Sequence, residues 1–188
     1  MSTIAHLTLG QYDTMITAGV FDRGLQRCRL EFIRGEIRDM TPIGAEHEEV
    51  VDRLNEWSMQ PWLKGKVRVR IQNSIGLPEL ESAPEPDVAW VVPRDYSQNR
   101  PQAHDVLLVI EVADSSLAYD TGEKAELYAA VGIADYWVVD VAGRAVEVRR
   151  QPHAGRYRSL QTYSGEAEIR PLTLPEAVLR PTELFGTP

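Results

Sequence analysis

The chain has 188 residues, 43% of them hydrophobic and 26% charged, a composition that supports one well-filled core, is short for two domains and contains no tract for a long disordered arm. The formal charge is −8, from 28 acidic and 20 basic residues, the wrong sign for a protein whose main task is to coat nucleic acid. Residues 1 to 6 have neither a basic start nor an apolar stretch, no run approaches the roughly 18 apolar residues of a membrane span, and Cys28 is the single cysteine. A cytoplasmic, membrane-free protein without an internal disulfide is expected, with residues 1–188 forming one domain.

In chain order, Leu9, Tyr12, Met15 and Ile16 fall at helical spacing behind a Thr8 cap, and Gly19 supplies a stop. Residues 28 to 40 alternate as two strands around a tight turn at Arg34-Gly35. Glu31 then shares a strand face with Ile33, which places it either at a sheet edge or in a cleft with other carboxylates. Residues 45 to 59 read as the main helix, with Val50, Val51, Leu54, Trp57 and Ser58 along one stripe. His47 lies on that stripe near the helix start, as a packed or capping side chain or as a functional one.

Residues 67 to 71 alternate as a strand, 76 to 86 read as a loop, and 88 to 92 as a compact apolar strand directly after Asp87. A polar connection over 93 to 105 leads to the core strand 106 to 112, which carries Glu111 in mid-run. Asp120 and Glu123 have the spacing of a capping box in front of a helix over 121 to 131, stopped at Gly132, with Lys124 at the margin of its buried face. Strands follow at 136 to 141, 145 to 149 and 157 to 163, with Tyr136 and Trp137 as core residues. The last segment, 174 to 179 with Leu184 and Phe185, reads as a short covering helix and tail.

The informative residues are those that break these patterns. A carboxylate in a buried strand is costly without a partner, and burial without a cation raises its pKa; Glu111 meets that description. Asp87 follows a proline and either ends a turn or joins Glu111. Two such carboxylates form a hard oxygen site suited to a divalent metal, and a nearby ammonium can steady charge on a reacting phosphate. Lys124 is the ammonium available, unless it is taken up by Asp120 across one helical turn. Glu36, after the turn glycine, is expected to be solvated or else to exchange roles with Glu31. Two basic clusters, Arg144-Arg149-Arg150-Arg156-Arg158 and Lys64-Lys66-Arg68-Arg70, are candidate phosphate contacts or simply the solvated faces of strands.

Taken in order, the segment around Glu31, His47 at a helix start, Pro86-Asp87, Val109-Ile110-Glu111-Val112, Tyr119-Asp120, Gly122-Glu123-Lys124-Ala125-Glu126-Leu127-Tyr128 and Tyr136-Trp137-Val138-Val139-Asp140 resemble the Uma family of putative restriction endonucleases, in the PD-(D/E)XK nuclease superfamily. The resemblance implies an α/β (mixed α+β) fold with a restriction-endonuclease-like core, a central mixed sheet flanked by helices. It implies a metal site for Mg2+ or Mn2+ made by Asp87, Glu111 and Glu31, with Lys124 as the superfamily's lysine, His47 assisting, and hydrolysis of DNA phosphodiesters. The superfamily's usual lysine position, two residues after the second acid, is Ala113 here, and the helix-borne Lys124 stands in for it.

Three functions follow from this reading. The first is a metal-dependent endonuclease acting on DNA as a homodimer, since two strands need two sites. The second is a catalytically inactive nuclease-like subunit that binds nucleic acid or protein. The third is a metal-dependent hydrolase acting on a small phosphodiester or nucleotide.

Overall fold

Six strands form the central sheet of the computed structural model, which describes residues 5–22, 29–40 and 42–185. They are β3 (Arg68–Ile71), β4 (Val88–Val91), β5 (Val106–Ala113), β6 (Asp135–Asp140), β7 (Ala145–His153) and β8 (Arg156–Ser164), side by side in chain order. All neighbours are antiparallel except β5 and β6. That parallel pair requires a crossover, and the helical stretch 117–130 provides it. The sheet is therefore mixed and carries helices on both faces.

Strand alternation sorts the core into two layers. Leu108, Ile110 and Val112 of β5, with Trp137 and Val139 of β6, pack with Val50, Val51 and Leu54 of α2 (Ala45–Ser58). Val109 and Ala113, with Tyr136 and Val138, face Ala125, Leu127, Tyr128 and Ala129 of α4 (Ala125–Ala130). Period-2 alternation assigns Glu111 to this second face. A separate hairpin, β1 (Leu30–Ile33) with β2 (Glu36–Asp39), lies against α1 (Leu9–Thr17) through Tyr12 and Phe32, whose rings stack at 4.6 Å. Its turn at Arg34 (φ 52) and Gly35 (φ 82) is left-handed at both residues, and a Cβ on Gly35 would meet the Leu7 carbonyl at 2.9 Å, so glycine is required there.

Three expectations are corrected. Asp120 and Glu123 form no capping box: the helical stretch begins one turn earlier with α3 (Leu117–Tyr119), the Ser116 hydroxyl bonds Asp120, and Glu123 pairs with Arg38. Between α3 and α4 the backbone takes a π turn over Asp120–Lys124. Residues 174 to 179 are not helical, since Leu179 bridges Ile169 as a β partner, and the only late helix among the described residues is α5 (Pro181–Leu184), entered through Pro181. Strands β7 and β8 run further than the alternation suggested, because each continues with residues exposed on one side. Cys28, at the start of the predicted first strand, lies outside the described residues. No helix among them is long and apolar enough to cross a membrane.

Not every buried acid belongs to a site. Asp135 is fully buried and accepts hydrogen bonds from Arg150, from the Trp137 indole and from the Leu172 N–H, the latter two at 2.8 Å. It ties β6 and β7 to the segment that crosses the far end of the sheet. Asp135→Ala leaves a guanidinium and two buried N–H groups without an acceptor and is expected to cost about 3–5 kcal/mol. Equilibrium urea unfolding checks this, and a loss under about 1 kcal/mol would place Asp135 in a solvated environment instead.

Candidate active site

The register Val88↔Ile110 between β4 and β5, continued by one residue, sets Asp87 opposite Glu111. Asp87 stands just before β4, where the Gln72 amide and the Val112 N–H reach its carboxylate at 3.2 and 2.9 Å. His47, one turn into α2, approaches the same carboxylate with Nε2 at 3.2 Å, and its Nδ1 is buried without a protein partner. Burial opposes ionisation of Asp87, but the hydrogen bonds from His47 and Val112 and the more distant charge of Lys124 outweigh it and hold the carboxyl below the usual carboxylate range.

Glu111 experiences the opposite balance. Burial pushes its carboxyl well above the usual range; Lys124 works against that, while Asp120, Asp87 and Glu31 reinforce it. Its Oε1 accepts the Tyr128 hydroxyl at 2.7 Å and lies 3.1 Å from the Lys124 ammonium. Glu31 is 2.9 Å from the same ammonium and also accepts the Glu85 N–H at 3.0 Å. Asp120 lies 3.9 Å away. The Lys124 side chain is 4% exposed, so it is a core residue of the site and not the marginal one its helical position suggested. Burial lowers the affinity of its amine for a proton, yet Glu111, Glu31 and Asp120 together hold it well above the ordinary lysine value.

The convergence falls on a π turn, a feature that recurs at functional sites, in which Asp120 and Lys124, four residues apart and so on one face, are both buried. The Tyr136 hydroxyl bonds the Asp120 carbonyl at 2.7 Å and fixes the turn on β6. Opposite, Arg38 from β2 bridges to Glu123 and lies over the Tyr119 ring, joining hairpin to helix. Glu36 also pairs with Arg38, at the surface, and takes no place beside Glu31.

All five residues singled out from the sequence, Glu31, His47, Asp87, Glu111 and Lys124, line one cavity of about 360 Å³. Two more, Asp120 and Arg29, were not foreseen as members. Asp120 was read as a cap because a regular helix was assumed; its only signal was the Tyr119-Asp120 step within the family pattern. Arg29 directs its guanidinium at Asp87 from 3.9 Å, and both terminal nitrogens are buried without a hydrogen-bond partner. No sequence pattern marked it.

The donor chemistry fits a hard divalent ion. Glu31, Asp87, Glu111 and Asp120 offer carboxylate oxygens; burial pushes Glu111 and Asp120 up, Lys124 works against it, and the neighbouring carboxylates add to it. Among the described residues no three His, Cys, Asp or Glu side chains converge into a ready metal cage. The fit is accordingly to an ion held by one or two carboxylates with water completing the shell, as magnesium commonly is.

No curated protein matches this chain. A solved structure titled as that of "a putative nuclease belonging to DUF820", from Anabaena variabilis ATCC 29413, superposes with a TM-score of 0.71 at 16% identity, covering 95% of this chain and 97% of the other. At that identity the likeness establishes the shared fold. The sequence itself matches the Uma2 family model, described as "Putative restriction endonuclease", over residues 21–182. Family and fold together support a nuclease-like function, and with the match extending over most of its length the chain belongs to the Uma2 family.

Proposed function

We propose that the protein is a magnesium-dependent endonuclease, with Mn2+ as an alternative ion, that hydrolyses phosphodiester bonds of DNA as a cytoplasmic homodimer of one nuclease-like domain. The observation that carries this reading is the Lys124 ammonium held between Glu31 and Glu111 inside the cavity that Asp87 also lines. Asp87 and Glu111 would hold the ion, with Glu31 as a third acid beside them. When bound, the ion neutralises phosphate charge and lowers the pKa of water.

The chain's own groups do the rest. Lys124 donates to the phosphate oxygens and stabilises the charge that builds on them in the pentavalent transition state, in a site closed enough for that charge to count. The Tyr128 hydroxyl holds Glu111 in place and His47 with Gln72 holds Asp87, so both acids are fixed before substrate arrives. On this reading Asp87→Ala, Glu111→Ala and Lys124→Ala each reduce plasmid nicking in Mg2+ by at least roughly a hundredfold. Unchanged nicking by all three purified variants removes these residues from the mechanism.

A second reading is favoured by one observation: Lys124 already closes on Glu31 and Glu111, and no three-ligand metal cluster is formed among the described residues. A catalytically inactive nuclease-like subunit that binds nucleic acid or protein has the same geometry. Metal binding separates the two. On the endonuclease reading, Mg2+ or Mn2+ at a hundred times its Kd adds about 2.7 kcal/mol to unfolding stability, and Asp87→Asn with Glu111→Gln abolishes that gain. Absence of any metal-linked shift in the wild type, by calorimetry or thermal unfolding, leaves only the binding role.

The charge balance also predicts opposite stabilities for two variants that both lose activity. Lys124→Met strands Glu31, Glu111 and Asp120 without their shared cation and is expected to cost about 3–5 kcal/mol in metal-free protein. Glu111→Gln removes the acid that burial and three neighbouring carboxylates disfavour, and is expected to leave stability equal or higher. Urea midpoints compare them, and a Glu111→Gln loss as large as that of Lys124→Met contradicts the account.

A further inference from the structure

The arginines of β3 are arranged on the same sheet face as the acids. Arg68 pairs with Val91 and Arg70 with Ala89, and cross-strand partners share a face, as does Asp87 two residues beyond Ala89. Arg70 and Arg68 therefore stand about 7 and 13 Å along the strand direction from the level of Asp87, at roughly 3.3 Å per residue. Val69 and Ile71 turn the other way, into the α2 layer.

The cluster has a fixed centre. The Tyr96 hydroxyl donates to the Val92 carbonyl at 2.9 Å, and the guanidinium carbons of Arg94, Arg68 and Arg70 lie 5.4, 5.9 and 5.9 Å from its ring. Arg94 is neutralised by the buried Asp105. Arg68 and Arg70 are not: their polar contacts are the Arg94 carbonyl and the Asn73 amide oxygen, and the buried Nε of Arg70 has no partner. Burial and repulsion from Arg68 and Arg100 destabilise the charge on Arg70. The fold thus keeps two like charges together, in a chain of net charge −8, with only the exposed Asp95 among the described residues as an anion within reach of Arg68 and no salt bridge to either arginine.

By contrast, the larger arginine cluster seen in the sequence is partly consumed internally, with Arg149 on Glu147 and Arg150 on Asp135. We infer that Arg68 and Arg70, arrayed around Tyr96, bind the phosphodiester backbone of a duplex nucleic acid and lead it across β3 to the acid cavity. The inference rests on the nuclease reading for the direction of the track. Two guanidiniums one strand repeat apart suit successive phosphates, and such contacts set register without reading sequence.

The test is duplex binding without catalysis, by fluorescence anisotropy in EDTA, with DNA and RNA duplexes of about two helical turns and a series of salt concentrations. Arg68→Ala/Arg70→Ala is expected to weaken binding about equally across sequences and to flatten the slope of log affinity against log salt by about 2. The lysine pair Arg68→Lys/Arg70→Lys retains most of that slope. Arg156→Ala/Arg158→Ala, on β8 at the opposite edge of the sheet, leaves it unchanged. Arg68 is exposed, so Arg68→Gln alone, with an expected loss of about 1 in slope, keeps the test available if the double variant does not fold. Loss with the DNA duplex, the RNA duplex or both supports the surface and identifies the nucleic acid. Wild-type binding that the β3 variants do not alter, or absence of binding to either duplex, overturns it. A wild type that binds through these arginines but cuts nothing in Mg2+ or Mn2+ ends the endonuclease reading and leaves the surface standing. A wild type that cuts DNA while the β3 variants bind normally does the reverse.

Discussion

A single buried ammonium, that of Lys124, organises the site. It meets Glu31 from the hairpin, Glu111 from β5 and Asp120 from its own helix, and so joins three segments that share no strand pairing. Buried ion pairs contribute little net stability against apolar replacements, because desolvation of both partners offsets their attraction. What they do confer is geometry: removing the shared cation leaves the acids uncompensated, so the arrangement is tightly specified even where it is not strongly stabilising. One ammonium among three acids also leaves a surplus of negative charge, and burial first, with the neighbouring carboxylates adding to it, pushes Glu111 and Asp120 upward against the pull of Lys124.

The surroundings of this cluster are apolar on one side, which disfavours its charge, and hydrogen-bonding on the other, which supports it. The β5 residues on the α2 face are all aliphatic, and Trp57, Trp90 and Trp137 pack together beneath them, with the Trp90 indole bonded to Ser58. On the other face the tyrosines Tyr128 and Tyr136 lie edge to face at 5.0 Å and direct their hydroxyls at Glu111 and at the Asp120 carbonyl. A phenol combines the bulk of a core residue with one polar end, which is what a half-polar layer needs. The expectation that Tyr136 and Trp137 are core residues holds, with the addition that Tyr136 also anchors the π turn.

Legibility of the sequence followed from the length scale of each signal. Strand alternation is a local, period-2 property, so a charge in mid-strand stands out, and Glu111 and the Glu31–Ile33 face could be read directly. The Arg34-Gly35 turn was equally plain, since two adjacent left-handed residues have a restricted chemistry. The π turn left no such mark: Asp120 to Lys124 matches i, i+4 spacing as well as any regular helix, and only packing on β6 shows that both side chains point inward. Asp120 was consequently misread as a cap. At the C-terminal end, Leu174, Ala177, Val178 and Leu179 have helical spacing, but a turn at 175–176 and the pairing of Leu179 with Ile169 take the place of a helix. Arg29 and Arg38 act through residues far away in sequence, which no local pattern encodes.

The net charge of −8 is better understood as a distribution than as a total. At ionic strengths near 0.1 M the screening length is about 10 Å, so a phosphate approaching β3 responds to Arg68 and Arg70 more than to acids elsewhere on the surface. Carboxylates such as Glu123 and Glu168 are in any case engaged with arginines of their own. The same short range gives the segregation a direction. An anion crossing the arginine cluster enters a region whose uncompensated charge is negative, and it can complete the approach only if that charge is offset. On the proposed endonuclease reading, a hard divalent ion held by Asp87, Glu111 and Glu31 would supply such an offset, and metal affinity and substrate approach would then be, on electrostatic grounds, two aspects of one requirement.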